Sequence, residues 1–176
     1  MVPQIGDNVV VPGCGVGRVA QLENVESHGS SSPMYKIVLH DDKSTMWIPP
    51  ARFGPKGVRG VMSQAAARRT WATIASQPMP KKRANWPKRQ RRYNEQLLSN
   101  DPTVMAELLG ELAAVRAAHH LSFGERTIYE RVKALLIAEV ATALDRPRPE
   151  IEERMRETLD AAAANERPVE LITAPH

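Results

Sequence analysis

The sequence has one cysteine, no long apolar run and few aromatic residues. The single cysteine, Cys14, allows neither an internal disulfide nor a cysteine-based metal cluster, and it fits a reducing intracellular setting. No uncharged segment approaches the roughly 20 apolar residues that a membrane-spanning helix requires. The first residues have neither the basic start nor the apolar centre of a signal peptide. We therefore expect a cytoplasmic protein that does not enter a membrane.

Aromatic side chains make up only 5% of the 176 residues, whereas 42% are apolar and 25% are charged. This is the composition of an ordinary globular protein with one medium domain or two small ones. Alanine and leucine are concentrated in the second half of the chain. That half is therefore expected to be helical, with small and aliphatic side chains in its core.

Acidic residues are absent from the middle of the chain. Residues 43–94 hold thirteen Lys or Arg and no Asp or Glu, whereas residues 1–42 carry a net charge of −3 and residues 95–176 one of −6. The overall net charge of +4 therefore conceals a strongly basic centre between acidic flanks. Such segregation favours a local site for a polyanion.

The densest part of the basic centre is the segment 80–93, in which seven of fourteen residues are cationic and Trp86 stands among them. Cations neutralise phosphates and an apolar ring can insert at a base step, so this mixture suits duplex DNA. The plain alternative is a solvated basic loop whose tryptophan packs on its own domain. Because Trp86 precedes Pro87 at the start of a predicted helix, it is poorly placed to be a core residue.

Residues 5–60 show the pattern of short β-strands separated by tight turns. The predicted strands are Val9–Val11, one beginning with Val19, Leu22 and Val25, then Tyr35–Leu39, Thr45–Ile48 and Val58–Met62. A polar loop is expected over residues 28–33, and Asp41-Asp42-Lys43 has the chemistry of a hairpin turn. Five short strands in this length predict a small barrel of the SH3 or Tudor type.

From Ser63 onward the apolar residues recur with a helical period. The predicted helices are Gln64–Ala75, Pro87–Leu98, one starting at Pro102 after the N-cap Asp101, one following the Ser122/Glu125 capping box, and Glu150–Ala164. Their expected apolar faces include Tyr93, Leu97 and Leu98 on the second helix, and Val104, Leu108, Leu112 and Val115 on the third. The fold class is thus α+β with two domains: a barrel over residues 1–60, a compact all-α bundle over 61–166, and a flexible tail over 167–176.

The sequence gives little support for a catalytic site. His119 and His120 are neighbours on a predicted helix and point about 100° apart, so they cannot share a metal from that helix. Cys14 has no His or Asn placed by the sequence to activate it. The glycines at 13–17 lack the Lys-Ser/Thr and the helix of a phosphate-binding loop. We expect no enzyme activity, no metal and no cofactor.

Two sets of short motifs follow one another in a specific order. The first is Ile5-Gly6-Asp7-x-Val9-Val10-x-Pro12-x-x-Gly15-Val16-Gly17, then Ile48-Pro49, then Gly57-Val58-Arg59. The second is Asn85-Trp86-x-Lys88-Arg89, then Ser99-Asn100-Asp101, Leu121-Ser122-Phe123-Gly124-Glu125-Arg126 and Leu135-Leu136-Ile137-x-Glu139. Together they resemble the CarD/CdnL family of bacterial transcription regulators over nearly the whole chain.

The resemblance implies a Tudor-like domain that binds the β subunit of RNA polymerase and a helical domain that binds promoter DNA. Trp86 would wedge into the minor groove at the upstream edge of the transcription bubble, which prolongs the life of the open promoter complex. The DNA-binding residues would be Trp86, Asn85, Lys88, Arg89, Arg91 and Arg92, with Lys81, Lys82 and Arg83 before them. The polymerase-binding residues would be Val25, Thr45, Met46 and Trp47. We expect a monomer associated with the nucleoid.

The chain departs from the common family pattern in both of the regions that would bind a partner. Family members often carry Arg where this chain has Val25 and Trp47, so the polymerase contact would be more apolar here. Pro87 and the arginines up to Arg92 also differ, and would strengthen phosphate binding. The alternative function is a stand-alone, nonspecific DNA- or RNA-binding architectural protein, which would bind bare DNA strongly without polymerase.

Overall fold

The computed structural model describes residues 3–27, 30–54, 57–76 and 85–164. The polypeptide separates after Val61 into two compact units. Within the described ranges, the first contains an antiparallel five-stranded sheet and the second contains five α-helices, which confirms the α+β class. The expected tail over 167–176 lies outside the described residues.

The sheet of the first unit has the strand order β4-β3-β2-β1-β5. Its strands are β1 (Asn8–Val11), β2 (Gly15–Ser27), β3 (Ser30–Leu39), β4 (Thr45–Ile48) and β5 (Arg59–Gly60). A 3₁₀ turn over Pro50–Arg52 follows β4. The core lies on one face of this sheet, where Val19 and Ile37 are fully buried and the rings of Tyr35 and Phe53 meet edge to face at 4.9 Å.

The predicted SH3- or Tudor-like barrel is not closed, because the sheet is open. Strands β4 and β5 form its two edges, and within the described residues they do not pair with each other. The last strand, predicted over Val58–Met62, is reduced to two residues that pair with Val9 and Val10. Closure needs long, staggered strands that meet around the barrel, and β5 is too short for that.

The polar loop expected over residues 28–33 is also mostly wrong. Residues 30–33 form the first part of β3 and pair with residues 24–27 of β2. The serines have weak strand preference, but a long neighbouring strand supplies partners for their backbone groups, and this tertiary context overrides local propensity. His28 and Gly29 lie outside the described residues.

The turn between β3 and β4 is confirmed as the hairpin turn that the sequence predicts. Lys43 has a positive φ of 59°. The Asp42 carboxylate accepts a 2.9 Å hydrogen bond from the Ser44 N–H, and the hydrogen bonds from Ser44 lower the pKa of Asp42.

The sheet also requires a glycine at position 17 in β2. A Cβ on Gly17 would lie 2.6 Å from the Ile37 side chain of β3.

The described part of the second unit contains five helices. They are α1 (Gln64–Ala75), α2 (Trp86–Leu98), α3 (Pro102–Ala118), α4 (Phe123–Leu144) and α5 (Arg148–Ala163). The predicted caps Ser63 and Asp101 and the Ser122/Glu125 capping box are all confirmed. No helix in the described ranges is long and apolar enough to cross a membrane.

Helices α3 and α4 form the centre of the second unit, because each of them packs against the other four helices. The buried surface of α3 is therefore wider than the single apolar face that the sequence predicts. Leu108, Leu112 and Val115 of that face are fully buried, and so are Ala106 and Leu109 outside it. Val104, expected in the core, is only half-buried. Leu98, expected to anchor α2, is 59% exposed, whereas Tyr93 and Leu97 are buried as predicted.

Candidate nucleic-acid interface

The candidate site lies where the first turns of α2 and α4 meet. Trp86, not Pro87 as predicted, is the first residue of α2, and Pro87 follows in the same turn. The six-membered ring of Trp86 lies against Gly124, the second residue of α4. A Cβ on Gly124 would stand 2.5 Å from Trp86 Cζ2 and 2.9 Å from Cη2. The absent side chain of Gly124 is therefore what gives the indole its position.

Trp86 is half-buried and packs at the margin of the helical core. The sequence argument that it is poorly placed for packing is thus only partly right. One part of the ring rests on the bundle and the rest faces solvent. Such a ring is held rigidly and can still contact a partner, which lowers the entropic cost of inserting it.

Asn85 is the N-cap of α2. Its side-chain oxygen accepts a hydrogen bond from the Lys88 N–H at 3.4 Å, while its backbone is extended. An N-cap satisfies one of the free N–H groups in the first helical turn. The predicted DNA-binding residue Asn85 therefore has a structural role in holding the turn that carries Trp86.

Arg89 points into the protein. Its Nη2 lies 3.1 Å from Glu125 Oε1, with only 16% of the Arg89 side chain and 3% of the Glu125 side chain exposed. The Arg89 guanidinium also lies 5.6 Å from the centre of the Trp86 ring. The other carboxylate oxygen of Glu125 accepts hydrogen bonds from the N–H and hydroxyl of Ser122. Arg89 thus joins Trp86 to the capping box of α4, and most of its side chain is buried there.

Arg91 and Arg92 are also paired with acids, but at the surface. Arg91 contacts Glu95 at 2.9 Å with 83% of its side chain exposed, and this carboxylate raises the pKa of Arg91. Arg92 contacts Glu111 of α3, and the Tyr93 hydroxyl donates to the same carboxylate at 2.9 Å. Exposed ion pairs contribute little to stability, so Arg91 can exchange its carboxylate for a phosphate. The Arg92 side chain is 51% exposed, but only 17% of the Glu111 side chain is exposed.

Lys88 is exposed and has no acidic partner among the residues that the structure describes. It stands in the first turn of α2, two residues after Trp86. Of the four cations predicted on α2, Lys88 and Arg91 are therefore the most accessible. Lys81, Lys82 and Arg83 lie outside the described residues.

The residues predicted to bind polymerase do not form one patch. Thr45 and Trp47 share the outer face of the sheet, opposite the core, and Trp47 is 41% exposed. Lys36, paired with Trp47 on β3, places its ammonium 5.7 Å from the ring. Met46 points to the other face, where it packs against the core.

Val25 shares the outer face with Trp47, but it lies further along the sheet. The residue level with Trp47 on β2 is Gln21, since both pair with Lys36. Val25 is four residues beyond Gln21, which is about 13 Å along a strand. Only Trp47 and Thr45 are therefore neighbours.

The two histidines are placed differently from the prediction. Helix α3 ends at Ala118, so His119 is its C-cap and His120 lies in the following connection. Both side chains are exposed. Across the described part of the chain, no three His, Cys, Asp or Glu side chains are grouped so as to hold a metal ion.

Sequence reasoning missed the part of the site that α4 supplies. The sequence marks Gly124 only as part of a family motif and Glu125 only as part of a helix cap. In the structure Gly124 contacts Trp86, and Glu125 forms an ion pair with Arg89. A glycine inside the first turn of a well-capped helix is a weak signal of a close approach, because alanine would favour the helix more.

Residues 71–156 match the family model of the CarD C-terminal domain. The match begins within α1 and ends within α5, so it contains all of α2, α3 and α4. The contact between Trp86 and Gly124 lies inside the matched range, and the β-sheet unit lies outside it.

Proposed function

This chain belongs to the CarD/CdnL family of transcription regulators, and we propose that it stabilises the open promoter complex by binding both RNA polymerase and the upstream edge of the transcription bubble. The helical unit would contact DNA through Trp86. The sheet unit would contact the β subunit of the polymerase through the face that carries Trp47. No chemical step is involved.

The observation that carries the proposal is the way in which Trp86 packs against the start of α4. Trp86 is half-buried with its ring against Gly124, and the accessible cation Lys88 lies in the same helical turn. Inserting a ring between stacked base pairs requires unstacking, which costs a few kcal/mol per step. At the edge of a bubble the stacking is already interrupted, so insertion there is easier. A ring held this way would favour open DNA over closed DNA.

A preference of this kind is sufficient to regulate initiation. A ligand that binds the open state better than the closed state shifts the equilibrium by the ratio of the two affinities. The cations near Trp86 would add affinity for phosphates in either state. The ring would supply the difference between the states, and the cations would supply much of the total affinity.

Support for a polymerase contact comes from the family and from the exposed face of the sheet. Trp47 is a large, partly exposed aromatic residue, and such residues are enriched in protein interfaces. Lys36 stands beside it on the same face. Tethering through this face would raise the effective concentration of the helical unit at the promoter.

Measuring DNA binding with and without polymerase tests the proposal. The chain should bind a bare promoter fragment weakly, and polymerase should raise its occupancy at the upstream edge of the bubble by tenfold or more. Trp47→Glu should remove capture of polymerase and leave bare-DNA affinity unchanged. Trp86→Ala should do the reverse, so each variant controls for the other.

Two results would contradict tethering. One is tight binding to bare duplex DNA that polymerase does not improve, with a log–log salt slope near −4 to −5 from four to six phosphate contacts. That behaviour belongs to a stand-alone architectural protein. The other is an equal loss of polymerase and DNA binding in both variants, because it would argue against separate sites.

A further inference from the structure

We propose that the helical unit has a second binding site, the α5 cleft, which takes a small zwitterion. The cleft lies between α3, α4 and α5, with Arg116 on one wall, Glu152 on another and Tyr129 in the floor. The occupant would be a molecule of about amino-acid size that carries one carboxylate and one ammonium group. This site goes beyond the proposed function and is independent of it.

The α5 cleft has an apolar floor and a charged rim. Its volume is about 340 Å³, and a smaller cavity that shares Arg116 and Tyr129 continues it. The floor includes Tyr129 and Leu159, which are 1% and 5% exposed. The charged residues of the rim are Arg116, Lys133, Glu152, Glu153, Arg156 and Asp160. A cavity of this size with an apolar floor and a few polar groups is typical of small-molecule sites.

The charges of the rim lie on walls of opposite sign. Arg116 of α3 and Lys133 of α4 are cations, whereas all the acids of the rim belong to α5. Arg156 lies 3.2 Å from Asp160 and also contacts Glu153, so α5 keeps an excess of negative charge at the rim. A lone anion would be repelled by α5, and a lone cation by the other wall. A ligand that carries both charges fits the cleft better than either.

Two rim residues of opposite sign are left without an ion pair. Neither Arg116 nor Glu152 forms one with any residue that the structure describes, although both line the same cleft. An exposed charge is solvated by water and needs no partner on its own. The buried group beside Arg116 is what indicates a ligand.

That group is the Tyr129 hydroxyl. Its oxygen accepts a 3.0 Å hydrogen bond from Arg116 Nη1, but its own hydrogen has no acceptor within the described ranges. Buried tyrosine hydroxyls usually donate to a partner. The Arg116 guanidinium carbon and the Lys133 ammonium nitrogen lie 5.5 Å and 5.2 Å from the centre of the Tyr129 ring, and Lys133 also contacts Glu130. A carboxylate at this point would accept the hydroxyl hydrogen and be attracted by both cations.

The α5 cleft lies on the opposite side of α4 from Gly124, against which Trp86 packs. Lys133 follows Gly124 by nine residues, which is about two and a half turns, or about 13 Å, of α-helix. The half turn places the two residues on opposite sides of the helix. A ligand in the cleft therefore does not occupy the surface around Trp86, and its binding can be measured without DNA.

The test titrates the full chain, labelled with nitrogen-15, with ω-amino acids from glycine to 6-aminohexanoate and follows binding by NMR spectroscopy. These probes hold one ammonium and one carboxylate group at increasing separation. One length should bind best, because the two walls are fixed, and the shifted resonances should belong to residues that line the cleft. Butylamine and butyrate, which carry one charge each, should bind about tenfold more weakly or worse, since each lacks one charge-assisted contact.

Three substitutions remove the proposed contacts one at a time. Arg116→Gln, Glu152→Gln and Tyr129→Phe should each weaken binding of the best probe about tenfold or more. Tyr129→Phe is the most selective of them, because it keeps the buried ring and removes only the hydroxyl. Glu107→Gln is the matched control: Glu107 is exposed on α3 outside the cleft, and the variant should bind like the wild type.

Several outcomes would overturn the zwitterion site. They are a spectrum that no probe changes, single-charge probes that bind as tightly as the ω-amino acids, and an unchanged affinity in both Arg116→Gln and Glu152→Gln. Affinity for the bare promoter fragment is measured on the same variants and should equal that of the wild type. A loss of DNA affinity in Arg116→Gln with normal probe binding would assign Arg116 to the DNA surface instead. Failure of the site leaves the proposed function intact, because that function is tested through Trp86.

Discussion

At the scale of single residues, Gly124 determines how closely Trp86 approaches the fourth helix. A Cβ at this position would overlap the indole, so any larger residue must push the ring outward or open the contact between α2 and α4. Overpacking of this kind usually costs about 1–3 kcal/mol. Glycine itself weakens a helix by about 1 kcal/mol relative to alanine.

Gly124→Ala should therefore destabilise the wild-type chain and shift the ring of Trp86. In a Trp86→Ala background the obstacle is gone, and the same substitution should stabilise the chain by up to about 1 kcal/mol through helix propensity. Urea unfolding of the four variants in this double-mutant cycle measures the coupling. Equal effects of Gly124→Ala in both backgrounds would show that the ring does not rest on Gly124.

Arg89 illustrates a contact that a prediction from sequence cannot find. Its position in a basic segment predicts a phosphate contact, but its guanidinium is buried against Glu125. The acid lies 36 residues further along the chain, so no local pattern could reveal the pair. Trp86, in contrast, can be predicted as a candidate site residue because a single tryptophan among seven cations is visible in the local sequence.

Arg89→Ala is expected to lower the free energy of unfolding by about 3–5 kcal/mol, because it leaves a buried carboxylate without its partner. Arg91→Ala, on the same helix, removes an exposed pair and should cost less than about 1 kcal/mol. Urea unfolding compares the two. A stable Arg89→Ala variant whose salt slope on DNA falls by about one would instead support the phosphate contact.

At the scale of elements, the position of α2 depends on its N-cap. Asn85 accepts a hydrogen bond from the Lys88 N–H and thereby helps to close the turn that contains Trp86. The side chain is therefore needed for helix geometry, whatever its contribution to DNA binding. Serine and asparagine are comparably good N-caps, whereas alanine is poor.

Asn85→Ala should cost about 1 kcal/mol of stability and weaken binding to a DNA fork, which is a duplex that ends in an unpaired segment. Asn85→Ser should restore both. Thermal unfolding and fork affinity of the two variants provide the measurement. If Asn85→Ser keeps the stability but not the affinity, the amide contacts DNA directly.

Helix boundaries and caps were predictable from the sequence because their signals are local. Three residues precede segments whose apolar residues recur with a helical period, and they act as N-caps in the structure: Ser63, Asp101 and Ser122. The strand at residues 30–33 was missed because it depends on pairing with β2 rather than on its own residues. The open form of the barrel could not be predicted for the same reason, since the number of strands does not give their lengths.

At the scale of the whole molecule, the charge segregation of the sequence is partly neutralised by folding. The segment 43–94 contains no acid, yet three arginines of α2 find carboxylates that the C-terminal part supplies: Glu95, Glu111 and Glu125. The Arg91–Glu95 pair is exposed, the Arg92–Glu111 pair is partly buried and the Arg89–Glu125 pair is buried. Fewer of these cations are therefore available to a polyanion than the number of Lys and Arg residues in the sequence suggests.

The most direct test of the account is the lifetime of the open promoter complex after challenge with a competitor for free polymerase. The wild-type chain should prolong that lifetime, and Trp86→Ala should shorten it about fivefold or more relative to wild type, as expected for losing one ring–base contact. Capture of polymerase by the variant should be unchanged. An open complex that lives equally long with Trp86→Ala bound would contradict the central claim.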